Sequence, residues 1–311
     1  MYLRKATALL LLWFAAMTAD AHLIFRISGG GLEKPSYMLG TVHVMSGNLL
    51  DSIPAFINAE AQCQQLYAEL DFTNKQRKET MREHGQKIIS LPDSMTIFDV
   101  LDEEKTGILN EKMKAVFKIN LADSAYKELW KMQPVAFTGM FTLSVIAELM
   151  KKYPNVNRGN MMDSGCITRA KSRGWQIGEL DRIIQDQDSV AKMQETLTQS
   201  IDVQVDSLMS FLEKYDTWKT NTEKQYEQTQ RIIEYWMNSD YDGLEAYSAS
   251  VVDMAHPLIV DRNRKWLPII TDAIRAMPTL FVFGAAHLLG TNGIVNMLRQ
   301  AGYTVEQIKD N

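Results

Sequence analysis

Cysteine and histidine are scarce in this chain, with two and five copies among 311 residues. Cys63 and Cys166 have no second Cys or His at ligand spacing beside them. That excludes Cys-rich zinc modules and a Cys-x-x-Cys redox pair, so any metal would need nitrogen and oxygen donors. Positive charge is not in excess: 33 Lys and Arg stand against 38 Asp and Glu, for a formal net charge of −5. Such a surface has no electrostatic reason to bind nucleic acid or an anionic membrane. The chain has no phosphate loop ending in Gly-Lys, no dinucleotide Gly-x-Gly-x-x-Gly, no Gly-x-Ser-x-Gly elbow and no His-Glu-x-x-His helix. Low-complexity stretches and solenoid repeats are missing too. The 18 Met are scattered without Met-x-x-Met arrays, which suits core filling rather than copper.

Long hydrophobic runs are few, and each has a reading. Arg4 and Lys5 precede an almost wholly apolar run from Ala6 to Ala19, and Ala19-Asp20-Ala21 has small residues at cleavage spacing. This predicts a signal peptide over residues 1–21, cleaved after Ala21, and export to a periplasmic or extracellular compartment. Residues 22–311 then form a single domain, with a helical insertion at about 92–260. Val135–Met150 is strongly apolar but short, and it contains Gly139 and Glu148. It reads as a buried helix, which leaves no stable membrane span after cleavage. An oxidising compartment would permit a Cys63–Cys166 bridge, and two buried thiols are the alternative.

The most informative feature is a tetrad that occurs twice, near opposite ends of the chain. Tyr37-Met38-Leu39-Gly40-Thr41-Val42-His43 and Leu280-Phe281-Val282-Phe283-Gly284-Ala285-Ala286-His287 each run an apolar strand into Gly-x-x-His. A lone His is more often a core residue bonded to a carbonyl. Two in matched settings point instead to a shared site, either a metal centre or an acid–base pair. Each Gly allows a tight turn or a close approach of other atoms.

Other segments follow from turn and cap signals. Leu23–Ile27 and Tyr37–Val42 form a hairpin around Gly29-Gly30-Gly31, and Asp51-Ser52-Ile53-Pro54 starts a helix reaching about Gln65. Strand Leu66–Asp71 ends in Glu69 and Asp71, and Trp175–Asp181 ends in Glu179 and Asp181. This Glu-Leu-Asp echo suggests two related half-units. Long helical patterns fill the middle, and the chain closes with strand Thr279–Phe283, helix Gly293–Ala301 and strand Tyr303–Ile308.

If the strands run parallel, His43 and Glu69 both sit at carboxyl ends, where open α/β-type sheets place their sites. His43, His287 and Glu69 are then candidate ligands for a divalent ion, with manganese, cobalt, zinc and iron all compatible. Asp163, Glu179 and Asp181 could ligate, orient a His or act as a base. Arg262 could clamp a carboxylate or an oxyanion, and Asn263 could donate to a peptide carbonyl.

In order and spacing these motifs resemble the TraB/GumN/Tiki family, in its bacterial exported GumN-like branch. Gly40-Thr41-Val42-His43 is similar to the family's opening motif, and Leu66–Asp71 to its Glu-bearing strand. Asp261-Arg262-Asn263-Arg264-Lys265-Trp266 is similar to its Arg-Asn helix, and Phe283–Gly290 to its closing motif. Asp163 resembles the family's middle-helix acid. Glu179 departs by one residue, because Glu-Leu stands here where the family has Leu-Glu.

The resemblance implies an α+β fold: a small central sheet carrying both Gly-x-x-His strand ends, with a large inserted helical region forming a cleft. From the Tiki branch it implies metal-dependent peptide-bond hydrolysis. On that reading His43, Glu69 and His287 hold the metal, and Glu69, Asp163, Glu179, Arg262 and Asn263 are the catalytic candidates. The expected function is an exported metallopeptidase-like hydrolase acting on a peptide or protein. The alternative is a peptide-binding or sequestering protein on the same fold, without turnover.

Overall fold

The computed structural model describes residues 23–71, 73–75, 78–79, 90–153, 160–181, 199–251 and 256–308. The expected signal peptide, residues 1–21, lies outside the described residues, as does part of the long helical stretch at 182–198.

The fold is α+β, built on a six-stranded mixed sheet. Strand β1 (Ile24–Gly29) turns back into β2 (Ser36–Thr41) as the expected hairpin. Its turn needs glycine: Gly29, Gly30 and Gly31 have φ of 73°, 57° and 83°. The other strands are β3 (Gln65–Ala68), β4 (Gln176–Glu179), β5 (Thr279–Gly284) and β6 (Tyr303–Ile308), in the order β4-β3-β5-β2-β1-β6. The first four in that order are parallel, and β1 and β6 complete the sheet antiparallel. β2 and β5 are buried at every position, as expected where both faces of a parallel strand are covered.

The first helix differs from the sequence expectation. Residues Gly47–Ser52 form a 3-10 turn, and α1 runs only from Pro54 to Ala61. Neither Asp51 nor Ser52 caps it; Ile53 holds that position and Pro54 opens the helix. Gln65 leaves the helical pattern because it joins β3, where its side chain donates to Thr279 Oγ1 at 2.8 Å.

The described residues fall into two compact units. The sheet unit holds those up to Asp71, those from 160 to Leu180 and those from Gln230 onward. Besides the sheet it contains α5 (Met162–Ser172), α8 (Tyr241–Val251), α9 (Pro257–Ala276) and α10 (Ile294–Gln300). Helix α5 is tied to α1 by Glu60, a buried carboxylate that accepts from Arg169 Nε and Nη2 at 2.9 and 2.7 Å and from Arg173 Nη2 at 2.8 Å.

The helical unit holds described residues between 73 and 153 and from Asp181 to Thr229. It contains α2 (Ile97–Val100), α3 (Glu103–Phe117), α4 (Pro134–Lys152), α6 (Ile201–Glu213) and the first part of α7 (Tyr215–Met237). Starts follow side-chain caps: Thr96 and Asp99 form a capping box, and Asp102 accepts from Lys105 N at 2.8 Å. Among the described residues α4 alone is long and apolar enough to cross a membrane. It buries Phe137, Phe141, Val145 and Leu149 in a core with Leu109, Met113, Leu208, Leu212 and Tyr215, and leaves Val135 and Leu143 exposed.

Cys63 and Cys166 are buried and unbridged. Burial pushes the Cys63 thiol up to about 12 and Cys166 well above the usual thiol range.

Candidate active site

Four parallel strands deliver chemically active residues to one edge of the sheet. His43 lies two residues beyond β2, Glu69 follows β3, Glu179 ends β4, and His287 sits in a 3-10 turn, Ala285–Leu288, after β5. Because β5 lies between β3 and β2, Glu69, His287 and His43 come off three adjacent strands. Residues far apart in sequence become neighbours by strand order alone.

The two motif glycines work by close approach, since neither has positive φ. A Cβ on Gly40 would stand 2.4 Å from Leu288 Cδ1 and 3.2 Å from Ala285 Cα. A Cβ on Gly284 would stand 3.0 Å from His43 Nε2 and 3.4 Å from Glu69 Oε1. Each motif therefore vacates the space that the other motif fills. The pairing of Thr41 with Gly284 offsets the two tetrads by one residue, so they are not symmetry-related in register.

Each imidazole is held by its Nδ1. His43 Nδ1 donates to Asp163 Oδ2 at 2.9 Å, and Thr41 Oγ1 donates to Asp163 Oδ1 at 2.9 Å. Asp163 is in the first turn of α5. That turn comes close because Gly165 packs on Gly47, where a Cβ on either would meet the other's Cα at 3.0–3.1 Å. His287 Nδ1 is 2.7 Å from Asn263 Oδ1. The Asn263 amide nitrogen donates to the His287 and Asn292 carbonyls at 3.2 and 2.8 Å, so its oxygen must face the ring. His287 therefore carries its proton on Nδ1, and Nε2 presents a lone pair.

Both Nε2 atoms turn toward one oxygen. Glu69 Oε1 is 3.7 Å from His43 Nε2 and 4.0 Å from His287 Nε2, and accepts from Gly284 N at 2.7 Å. The other oxygen, Oε2, accepts from Arg262 Nη2 at 2.5 Å. Arg262 Nη1 is 3.2 Å from His287 Nε2, and the guanidinium lies over the Trp266 ring at 4.6 Å. Trp266 in turn packs on His287, with ring centroids 4.3 Å apart.

The two histidines differ despite their matching motifs. Burial pulls His287 down to about 4, with Arg262 and His43 adding to the effect against the pull of Glu69. His43 leaves 49% of its side chain exposed. Burial would lower it, but the Asp163 hydrogen bond and charge and the Glu69 charge outweigh that, and it is pushed up to about 9. For Glu69, burial raises the pKa, yet His43, Arg262, the Gly284 N–H and His287 together hold it below the usual range.

The remaining acids are placed differently. Glu179 is level with Ala68 in the β3–β4 ladder, one residue short of Glu69, so the two glutamates are out of register by one. Glu179 Oε1 accepts from Asp71 N at 2.8 Å. Asp181 is buried two residues past β4. Asn263, expected to donate to a substrate carbonyl, is fully buried with both amide hydrogens' direction set by backbone carbonyls, so it positions His287 instead. Thr41 and the Gly284 N–H were not anticipated as partners, though Thr41 stands inside the Gly-x-x-His tetrad.

A model of the TraB/PrgY/gumN family matches residues 23–307, which takes in the whole sheet-edge group. The chain belongs to the TraB/PrgY/gumN family. Neither the curated proteins nor the solved structures contain a match.

Whether this TraB/PrgY/gumN site suits a divalent ion can be judged from its donors. Two imidazole Nε2 atoms and one carboxylate make an N/N/O shell, with each Nδ1 anchored as metal-bound histidines usually are. Among the described residues no group of three or more His, Cys, Asp or Glu stands close enough to hold an ion as placed. The separations of 3.7 and 4.0 Å compare with about 3.3 Å between tetrahedral ligands of one ion. The donor types and the His287 tautomer fit, but Glu69 Oε1 would have to approach both imidazoles more closely, and His43, pushed up to about 9, would have to give up its Nε2 proton before it could ligate. One depression among the described residues lies between α3 and α6 at Lys105, Ile108, Lys112 and Met209, and no histidine lines it.

Proposed function

We propose that this TraB/PrgY/gumN protein is an exported metal-dependent hydrolase acting on peptide or protein substrates. One observation carries the proposal: two imidazoles, each anchored through Nδ1, turn Nε2 toward the same oxygen of a single buried glutamate. Export is supported by the Arg4-Lys5 start, the apolar run to Ala19 and the small residues at Ala19-Asp20-Ala21.

His43, Glu69 and His287 would hold manganese, cobalt, zinc or iron. Such an ion would polarise a carbonyl and activate water. The chain's own residues do the rest. Asp163, itself fixed by Thr41, keeps the exposed His43 ring aimed inward. Asn263 locks the tautomer of His287. Arg262, a charged donor resting on Trp266, would take a substrate carbonyl or oxyanion. Among the described residues Glu69 is the one carboxylate facing both imidazoles, and its lowered pKa keeps it ionised.

The test is metal analysis of the purified mature protein, paired with cleavage of a peptide library with and without chelator. Stoichiometric divalent metal and chelator-sensitive cleavage are expected. Peptides recovered intact with every metal tried would overturn the enzyme. A second reading, a peptide-sequestering protein without turnover, draws on Arg262, which already neutralises Glu69 from within the chain.

A further inference from the structure

We propose that Arg262 and a metal ion are mutually exclusive partners of His287, so that the guanidinium acts as an internal stand-in for the ion and loading requires its release. The inference rests on the metal reading of the site above. Three observations carry it. The Asn263 amide fixes the His287 proton on Nδ1, leaving a single lone pair on the ring, at Nε2. Arg262 Nη1 points at that nitrogen from 3.2 Å. The same guanidinium holds Glu69 through Nη2, so one planar cation bridges two of the three candidate ligands.

A lone pair engaged by an N–H cannot also bind an ion. An incoming cation must therefore break the Arg262–His287 contact. Arg262 does not have to leave the site, since Nη2 can stay on Glu69 Oε2 and the guanidinium plane can stay on Trp266. What is displaced is the Nη1 contact with His287, so this charged donor at the edge of the site turns toward a substrate oxygen only once the ion is seated. Metal loading and substrate grip are thereby coupled through one side chain. The arrangement also keeps the buried Glu69 charge compensated before loading.

The experiment is a competition titration of the full mature protein, stripped with chelator, using Zn²⁺ and Co²⁺ against a chromophoric chelator. Wild type is compared with Arg262→Ala and Arg262→Lys, and the fold of each is checked by circular dichroism. Removing a charge-assisted hydrogen bond from the competing state should tighten metal binding roughly tenfold or more in Arg262→Ala. Arg262→Lys keeps the positive charge, but one ammonium cannot place a donor on Glu69 and another on His287 in the same fork. It should tighten binding several-fold as well. Tightening in Arg262→Ala with Arg262→Lys identical to wild type would mean the field alone matters, and would overturn exclusion. Unchanged affinity in both variants, with measurable binding in wild type, would overturn it too. Binding in neither wild type nor variants would instead remove the metal reading on which the inference stands. Binding in Arg262→Ala but not in wild type would be its strongest support.

Discussion

Asn263 decides what His287 can do. Fully buried, it donates to two carbonyls and gives its oxygen to one imidazole nitrogen. Asn263→Ala should cost about 1–3 kcal/mol of stability through the carbonyls it strands, and metal affinity should fall roughly tenfold to a hundredfold; chemical denaturation and metal titration read these separately. Glu69→Gln keeps shape and removes charge. In an enzyme it should depress turnover far more than substrate affinity, whereas a change in affinity alone would support the sequestering protein. The two histidines should titrate apart in the chelated protein, His43 near 9 and His287 near 4 by NMR. Both shifts have a sign for stability. His43 stabilises fully below the ordinary value of 6.5, and that contribution is lost as pH rises toward about 9. His287 resists protonation in the fold, so stability is lost as pH falls from 6.5 toward about 4. Two rings titrating together near 6.5 would refute this environment.

At the scale of elements, the site depends on two close approaches. Gly284→Ala adds a methyl 3.0 Å from His43 Nε2 and 3.4 Å from Glu69 Oε1. It should disrupt the group while β5, paired on both sides, keeps its ladder. If the site holds metal and turns substrate over as proposed, metal binding and turnover should both fall well beyond the loss of about 1–3 kcal/mol in stability that overpacking brings. Gly165→Ala meets backbone, the Gly47 Cα at 3.0 Å, which cannot yield as a side chain can. Helix α5 must then shift, Asp163 should loosen its hold, and the His43 titration should move down from about 9 toward its ordinary value. An unchanged His43 titration would show that Asp163 is not placed by that packing. Strand existence was legible here because β2 and β5 are short apolar runs bounded by glycine. The end of α1 was not, since Gln62 to Gln65 suit a helix and only pairing with β4 and β5 draws Gln65 into a strand.

For the whole molecule, both thiols report on opening of the fold. Cys63 and Cys166 are buried, with pKa values raised by burial, so neither offers much thiolate. A thiol reagent should label neither in native protein at neutral pH and both in denaturant, with labelling rising along the unfolding curve. Rapid labelling of Cys63 in native protein would contradict its placement beneath the sheet unit's surface.

The sequence by itself determined the family, the α+β class, the hairpin and the residues that meet at the sheet edge. It could do so because strand ends, glycine turns and repeated tetrads are local patterns that survive without knowledge of neighbours. It gave the two histidines one description, and it left the roles of Arg262 and Asn263 open between substrate and protein. Tertiary structure decided these points. Strand order placed β5 between β2 and β3, so that one Gly284 N–H could reach Glu69. Burial depth then separated His287 from His43. A one-residue slip between β3 and β4 set Glu179 level with Ala68 rather than with Glu69. Register, depth and partner identity depend on which distant segments pack together, and that information belongs to the folded chain.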